Sequence, residues 1–243
     1  MPFLPLHDNA PRVLIAHAWV TWGLIGACVL VYLSQGSGEA FQRLALGLGV
    51  IPATVTGEAE LSGEFYLVPP LATLVTSMFL HGGFMHLLGN MLYLWVFGDN
   101  VEDSMGHFRF LAFYLICGVL ASLAQVVAEP GSTTPTIGAS GAVSGVLGAY
   151  LMLHPKAKVL IPIWIIPIYV PAFILLLIWI GMQFFSAWSG GPAGGGVAWW
   201  AHIGGFVAGA ILVIPFRYHA VPLFGGADHP SGLRLRKRFR TKR

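Results

Sequence analysis

The sequence predicts an all-α membrane protein, a six-transmembrane-helix bundle. Three observations carry that prediction. Of 243 residues, 56% are hydrophobic and 9% charged, with a mean hydropathy of +0.74; a soluble domain carries about 25% charged residues. The apolar residues gather in six segments, at 13–33, 84–98, 108–127, 140–153, 171–188 and 199–216. The basic residues fall on alternate connections between them, as the positive-inside rule requires of a polytopic chain.

Segment 13–33 is long enough to cross a hydrocarbon layer that needs about 20 residues. The preceding MPFLPLHDNAPR has neither the basic region and cleavage site of a signal peptide nor the Arg/Ser-rich pattern of a transit peptide. The first span is therefore read as an uncleaved anchor behind a cytoplasmic segment, 1–12. Connection 35–79 is the longest; it carries Glu39, Glu58, Glu60 and Glu64 against a single basic residue, Arg43. Its 44–52 section, LALGLGVIP, is apolar enough to lie in the membrane interface.

The second and fourth segments, 84–98 and 140–153, are short for a full crossing. Backbone that stops at such depth must line a protein-walled or watery cavity. Asp99, Glu102 and Asp103 close the second span and read as a solvated cap. Stretch 159–188 contains Pro162, Pro167 and Pro171. Proline suits a helix's first turn and is costly inside it, so the part before Pro171 is predicted as an interfacial stretch and the fifth span begins there. The uncharged, Gly/Pro-rich loop 189–197 leads to the sixth span. The tail, 218–243, ends in the basic cluster 234–243, read as a cytoplasmic anchor near anionic lipid rather than a nucleic-acid site. Cys28 and Cys117 lie inside apolar segments and are expected to pack as small hydrophobes.

Both termini are expected on the cytoplasmic side of a bacterial-type inner membrane. Arg12, Arg109, Lys156, Lys158, Arg217 and the tail then fall inside, and only Arg43 outside. The fourth span starts from the outer side. The two halves of the chain show no inverted repeat, which disfavours a two-fold transporter.

Ionisable residues inside spans are functional suspects. Here they are histidines. Residues 138–141, Gly-Ala-Ser-Gly, open the fourth span and put Ser140 near the positive end of a helix dipole, a setting that suits a nucleophile. Gly141, Gly145 and Gly148 recur at helical spacing. His202 opens the sixth span and is followed by Gly205 and Gly209, a small-residue face that lets another helix approach closely. Two glycine-faced helices packed together would bring Ser140 and His202 within hydrogen-bond reach, the nucleophile–base pairing of general-base activation. No Asp or Glu lies in the core of a span, so a dyad is favoured over a triad. His86 and Asn90, four residues apart, share a helix face and can add donors to the free Ser140 N–H for a developing oxyanion.

Ser140 could be an ordinary N-cap. Ser144, one turn later, is a rival nucleophile, but its hydroxyl can bond back to the Ser140 carbonyl. His81, His86 and His202 could hold zinc, yet there is no HExxH and no carboxylate within the spans.

These residues resemble the rhomboid family of intramembrane serine proteases. The matching pieces are His81-Gly-Gly-Phe-Met-His86-Leu-Leu-Gly-Asn90, Gly138-Ala-Ser140-Gly141 and Ala201-His202-Ile-Gly-Gly205-Phe-Val-Ala-Gly209. Their order and the six-span layout also match, over roughly residues 13–217. The resemblance implies Ser140 as nucleophile, His202 as general base, and His86, Asn90 and the Ser140 N–H as oxyanion partners. His81, Gly138, Gly141, Gly205 and Gly209 are supporting residues. It implies transmembrane protein substrates with a small residue before the scissile bond, a lipid bilayer as setting, no nucleic acid, and no metal or other cofactor. The chain departs from the family in two places. Ser144 stands where an aromatic residue often braces the histidine, so Phe79 or Trp199 is expected to serve instead. The Trp-Arg pair often found in the first long loop is absent. A catalytically inactive relative that binds transmembrane helices is the alternative.

Overall fold

The computed structural model describes residues 4–164, 166–189 and 197–225. The six apolar segments all form helices: α1 is Trp19–Ser34, and after two small helices of the long connection, α2 (Glu39–Leu48) and α3 (Pro52–Thr56), and the single turn α4 (Thr73–Thr76), come α5 (Phe84–Met105), α6 (His107–Ala128), α7 (Ser140–Leu153), α8 (Ala172–Trp188) and α9 (Trp199–Phe216). Helices α6 and α9 are long and apolar enough to cross a membrane unaided. Residues Pro70–Phe79 and α5 form a third, bent candidate with an 83° break, and α1, α7 and α8 are shorter apolar helices. The protein is thus a mostly helical integral membrane protein.

Three sequence expectations need correction. First, α5 runs past Gly98 to Met105. Second, its acidic residues are no solvated cap: Glu102 is fully buried and Asp103 nearly so. The Asp103 carboxylate accepts the N–H groups of Val13, Leu14 and Ile15 at 2.9, 2.7 and 2.7 Å. Glu102 accepts the N–H groups of Val20 and Thr21 at 3.0 and 2.8 Å and the Thr21 hydroxyl at 2.7 Å. Those N–H groups sit in the first turn of α1, where no intrahelical acceptor exists. Glu102 therefore caps α1 from another helix, and its negative charge suits that dipole end. Asp99 is ion-paired with Arg12 at 3.3 Å.

Third, the chain is not all-α. The stretch expected to be interfacial forms β2 (Lys158–Ile163) and β3 (Ile166–Pro171), joined in an antiparallel sheet with β1 (His7–Asp8) in the order β1-β2-β3. Pro162 faces Pro167 across the hairpin, so two residues that cannot continue a helix sit where a strand tolerates them. Val159, Ile161, Ile168 and Val170 pack on the helical core, while Trp164 at the hairpin tip and Tyr169 are exposed. Asp8 is buried here against the Tyr150 hydroxyl and Asn100.

The centre of the bundle is α7 against α9, with α6 across both. A Cβ at Gly145 would come within 2.5 Å of Cys117 Cβ in α6, and one at Gly141 within 2.7 Å of Ala121 Cβ. A Cβ at Gly205 would overlap the carbonyl oxygen of Gly141. Cys28 and Cys117 are buried free thiols.

Loop residues 190–196 and the basic cluster at 234–243 lie outside the described residues.

Candidate active site

Ser140 and His202 are the first and fourth residues of their helices, α7 and α9, and occupy the same end of the bundle. The backbone-to-backbone packing of those helices brings Ser140 Oγ to 2.9 Å from His202 Nε2. The start of α9 is held on α6, where Gln125 Oε1 accepts the Ala201 N–H at 3.3 Å. That N–H belongs to the first turn and has no partner within its own helix. The Ser144 hydroxyl is buried and donates to the Ser140 carbonyl at 2.6 Å; it faces its own helix rather than His202.

His86 and Asn90 lie against the turn before Ser140. Gly138 has φ +119°, and a Cβ there would fall 2.6 Å from His86 Nε2 and 3.8 Å from Asn90 Nδ2. Only glycine meets both the backbone conformation and the space. The Gly82 N–H lies 3.4 Å from His86 Nδ1 and donates to it. That makes Nδ1 the acceptor and puts the imidazole proton on Nε2, the nitrogen beside Gly138. Asn90 Nδ2 donates to the His86 carbonyl at 3.0 Å, and Oδ1 is buried without a partner among the described residues.

His81 is fully buried behind His86, with ring centroids 5.2 Å apart at 66°. Its Nδ1 donates to the Phe79 carbonyl at 3.2 Å, and its backbone is clasped by the Gln35 amide. It does not touch Ser140 or His202 through any hydrogen bond among the described residues.

One residue of the site escaped the sequence reading. Gln183 of α8 is 4% exposed, and its Oε1 lies 2.7 Å from His202 Nδ1. The signal was a lone amide in an otherwise apolar helix, where an uncompensated polar group is costly. The rings around His202 are Trp199 (6.2 Å, edge-on) and Trp179 (6.0 Å, tilted). Trp199 stands where one was expected, Trp179 was not anticipated, and Phe79 contributes its carbonyl to His81.

A cavity of about 20 Å³ adjoins Ser140, lined by Ser77, Ser122, Thr136, Gly138 and Ala201 among others. That is room for about one water. A far larger cavity, about 1390 Å³, lies near Asp8, Arg12, Trp22, Trp95 and Asp99 and includes neither Ser140 nor His202. Chemistry rather than size marks the site, because of these two cavities the small one abuts a hydroxyl paired with an imidazole.

Comparison with known sequences finds a family and relatives for the chain. The family model described as Rhomboid domain matches residues 69–219. Rhomboid protein 1, mitochondrial, of Saccharomyces cerevisiae is 32% identical over 148 residues, 57% of this chain and 40% of the relative. Rhomboid protease GluP of Bacillus subtilis is 38% identical over 144 residues, 58% of this chain and 26% of the relative. RHOMBOID-like protein 5 of Arabidopsis thaliana is 40% identical over 78 residues, 32% of this chain and 25% of the relative. The match thus spans between a quarter and two fifths of these relatives' own lengths.

Proposed function

The chain belongs to the rhomboid family, and from that premise we propose that it is an intramembrane serine endopeptidase that cleaves transmembrane segments of other membrane proteins. The observation that carries the proposal is the 2.9 Å contact between Ser140 Oγ and His202 Nε2. His202 takes the hydroxyl proton as the serine oxygen attacks the scissile carbonyl. The Ser140 N–H, His86 Nε2–H and Asn90 Nδ2–H hold the oxyanion. His202 then passes its proton to the leaving amine, and a water hydrolyses the acyl-enzyme, returning the proton through His202. A fully hydrogen-bonded substrate helix hides its peptide bonds, so the substrate unwinds locally first, which favours small residues near the cut.

The six apolar helices form a six-span protease domain over residues 13–217, flanked by cytoplasmic segments 1–12 and 218–243. The Ser140 end faces away from the cytoplasm of a bacterial-type inner membrane. The distribution of Arg12, Arg109, Lys156, Lys158 and Arg217 against Arg43 supports that orientation. A silent helix-binding relative would have no need of a serine and an imidazole in hydrogen-bond contact.

The test is cleavage of a model transmembrane substrate by the purified wild type, Ser140→Ala and Ser144→Ala. Loss with Ser140→Ala and retention with Ser144→Ala is expected. Equal cleavage by Ser140→Ala would sink the mechanism, and loss only with Ser144→Ala would move the nucleophile.

A further inference from the structure

We propose that Gln183 is the positioning residue of the site: its amide oxygen holds the Nδ1–H of His202 and thereby turns the Nε2 lone pair onto Ser140. The role rests on the Ser140–His202 dyad proposed above.

The hydrogen bonds leave the amide one orientation. Gln183 Nε2 lies 3.3 Å from the backbone carbonyl of Trp179. A carbonyl only accepts, so the end of the amide facing it must be the NH₂. The other end, Oε1, then faces His202 Nδ1 at 2.7 Å, and an amide oxygen also only accepts. Nδ1 must therefore carry the imidazole proton. A neutral imidazole has one, so Nε2 is unprotonated and receives the Ser140 hydroxyl. The tautomer a general base needs is thus dictated from α8 through two successive donor–acceptor choices.

Burial makes the choice firm. Gln183 is 4% exposed and His202 is 8% exposed, so bulk water does not compete for Nδ1. Among the described residues no carboxylate bonds to His202. An amide orients the ring as a carboxylate would, without placing an ion in the hydrocarbon layer, where charge is expensive. Trp179, one turn before Gln183 on the same helix, lies against the ring. Helix α8 thus supplies both a hydrogen bond and a tilted ring contact to His202, on a chain where Ser144 offers no aromatic brace.

The experiment measures how fast a fluorophosphonate labels Ser140, across pH, in full-length wild type, Gln183→Leu and Gln183→Glu, with Ser140→Ala as blank. Gln183→Leu removes the acceptor and keeps the bulk. Its plateau rate should fall by roughly tenfold to a hundredfold, by analogy with the loss when the hydrogen-bond partner of a metal-ligating histidine is removed. Its half-maximal pH should also move down, since nothing then supports the charged ring. Gln183→Glu is nearly isosteric; it should keep measurable labelling and move the half-maximal pH up. A residue that merely fills space would not shift the profile in opposite directions. Wild-type plateau and midpoint in Gln183→Leu would overturn the proposal. If Gln183→Leu does not fold, an unmoved midpoint in Gln183→Glu overturns it equally. Wild type that takes no label, or Ser140→Ala that takes it, would instead sink the dyad and this role with it.

Discussion

Gly209 of α9 lies so close to Gly145 of α7 that a Cβ on Gly209 would overlap the Gly145 carbonyl oxygen. The obstruction is backbone, which cannot rotate away as a side chain can. Four residues earlier, Gly205 meets Gly141 in the same manner. This seam sets the distance between the helices that carry Ser140 and His202.

Gly209→Val should therefore separate α7 from α9. Overpacking a tight core costs about 1–3 kcal/mol, and here the dyad distance would open as well. Thermal unfolding in detergent should show the loss of stability, and fluorophosphonate labelling of Ser140 should fall with it. Gly181→Ala is the control, because no atom beyond its own stretch of helix backbone lies within 4 Å of a Cβ built there. In a helix that change should be neutral or stabilise by up to about 1 kcal/mol.

Gly138→Ala tests the other side of the serine. The new methyl would press on His86 Nε2, and the positive φ would strain any L-residue. If His86 holds the oxyanion as proposed, kcat should fall by about 10²–10³ while KM for a transmembrane substrate changes little. An unchanged kcat would remove His86 from the oxyanion site.

Glu102→Ala should destabilise the protein by about 2–4 kcal/mol, because it leaves the part-buried Val20 N–H and the buried Thr21 N–H and hydroxyl without an acceptor. The damage should appear in unfolding experiments, with dissociation of α1 from α5, rather than in the chemistry at Ser140. Glu102→Gln keeps an acceptor oxygen and should lose less. Equal stability of all three proteins would mean that α1 does not depend on this distant cap.

Asp8 carries a pH dependence. Burial raises its carboxyl above the ordinary value of 3.8, and hydrogen bonds from Tyr150 and Asn100 oppose that only in part. A carboxyl whose folded value is raised favours folding while protonated. Its contribution is present below the ordinary value and is lost as pH rises through the raised one. Docking of β1 on β2 should therefore weaken with rising pH above about 4, read as amide exchange of Leu6 and Asn9, whose N–H groups bond to Leu160 and Lys158. Asp8→Asn should flatten that dependence; a wild-type slope of the opposite sign would reject the assignment.

Much of the fold could be read before any coordinates. The bounds expected for α7 and α9 coincide with the helices found, because hydropathy and helix end together there. Helix α5 ran further than its apolar stretch. Its carboxylates find partners about 80–90 residues earlier in the chain, contacts that no local window contains. The β2–β3 hairpin was hidden for a related reason. A short apolar run with prolines is ambiguous in period, and the pairing of Pro162 with Pro167 is visible only once the strands meet.

The site divides along the same line. Sequence by itself determined which side chains were capable of the chemistry and which glycines would let two helices close on each other, since residue type and helical spacing are local properties. Only the tertiary structure decided which imidazole nitrogen faces Ser140. That choice depends on a proton at Nδ1, the proton depends on Gln183 Oε1, and that oxygen is aimed by the Trp179 carbonyl. Hydrogen-bond direction passes from helix to helix through space, and no spacing along the chain records it.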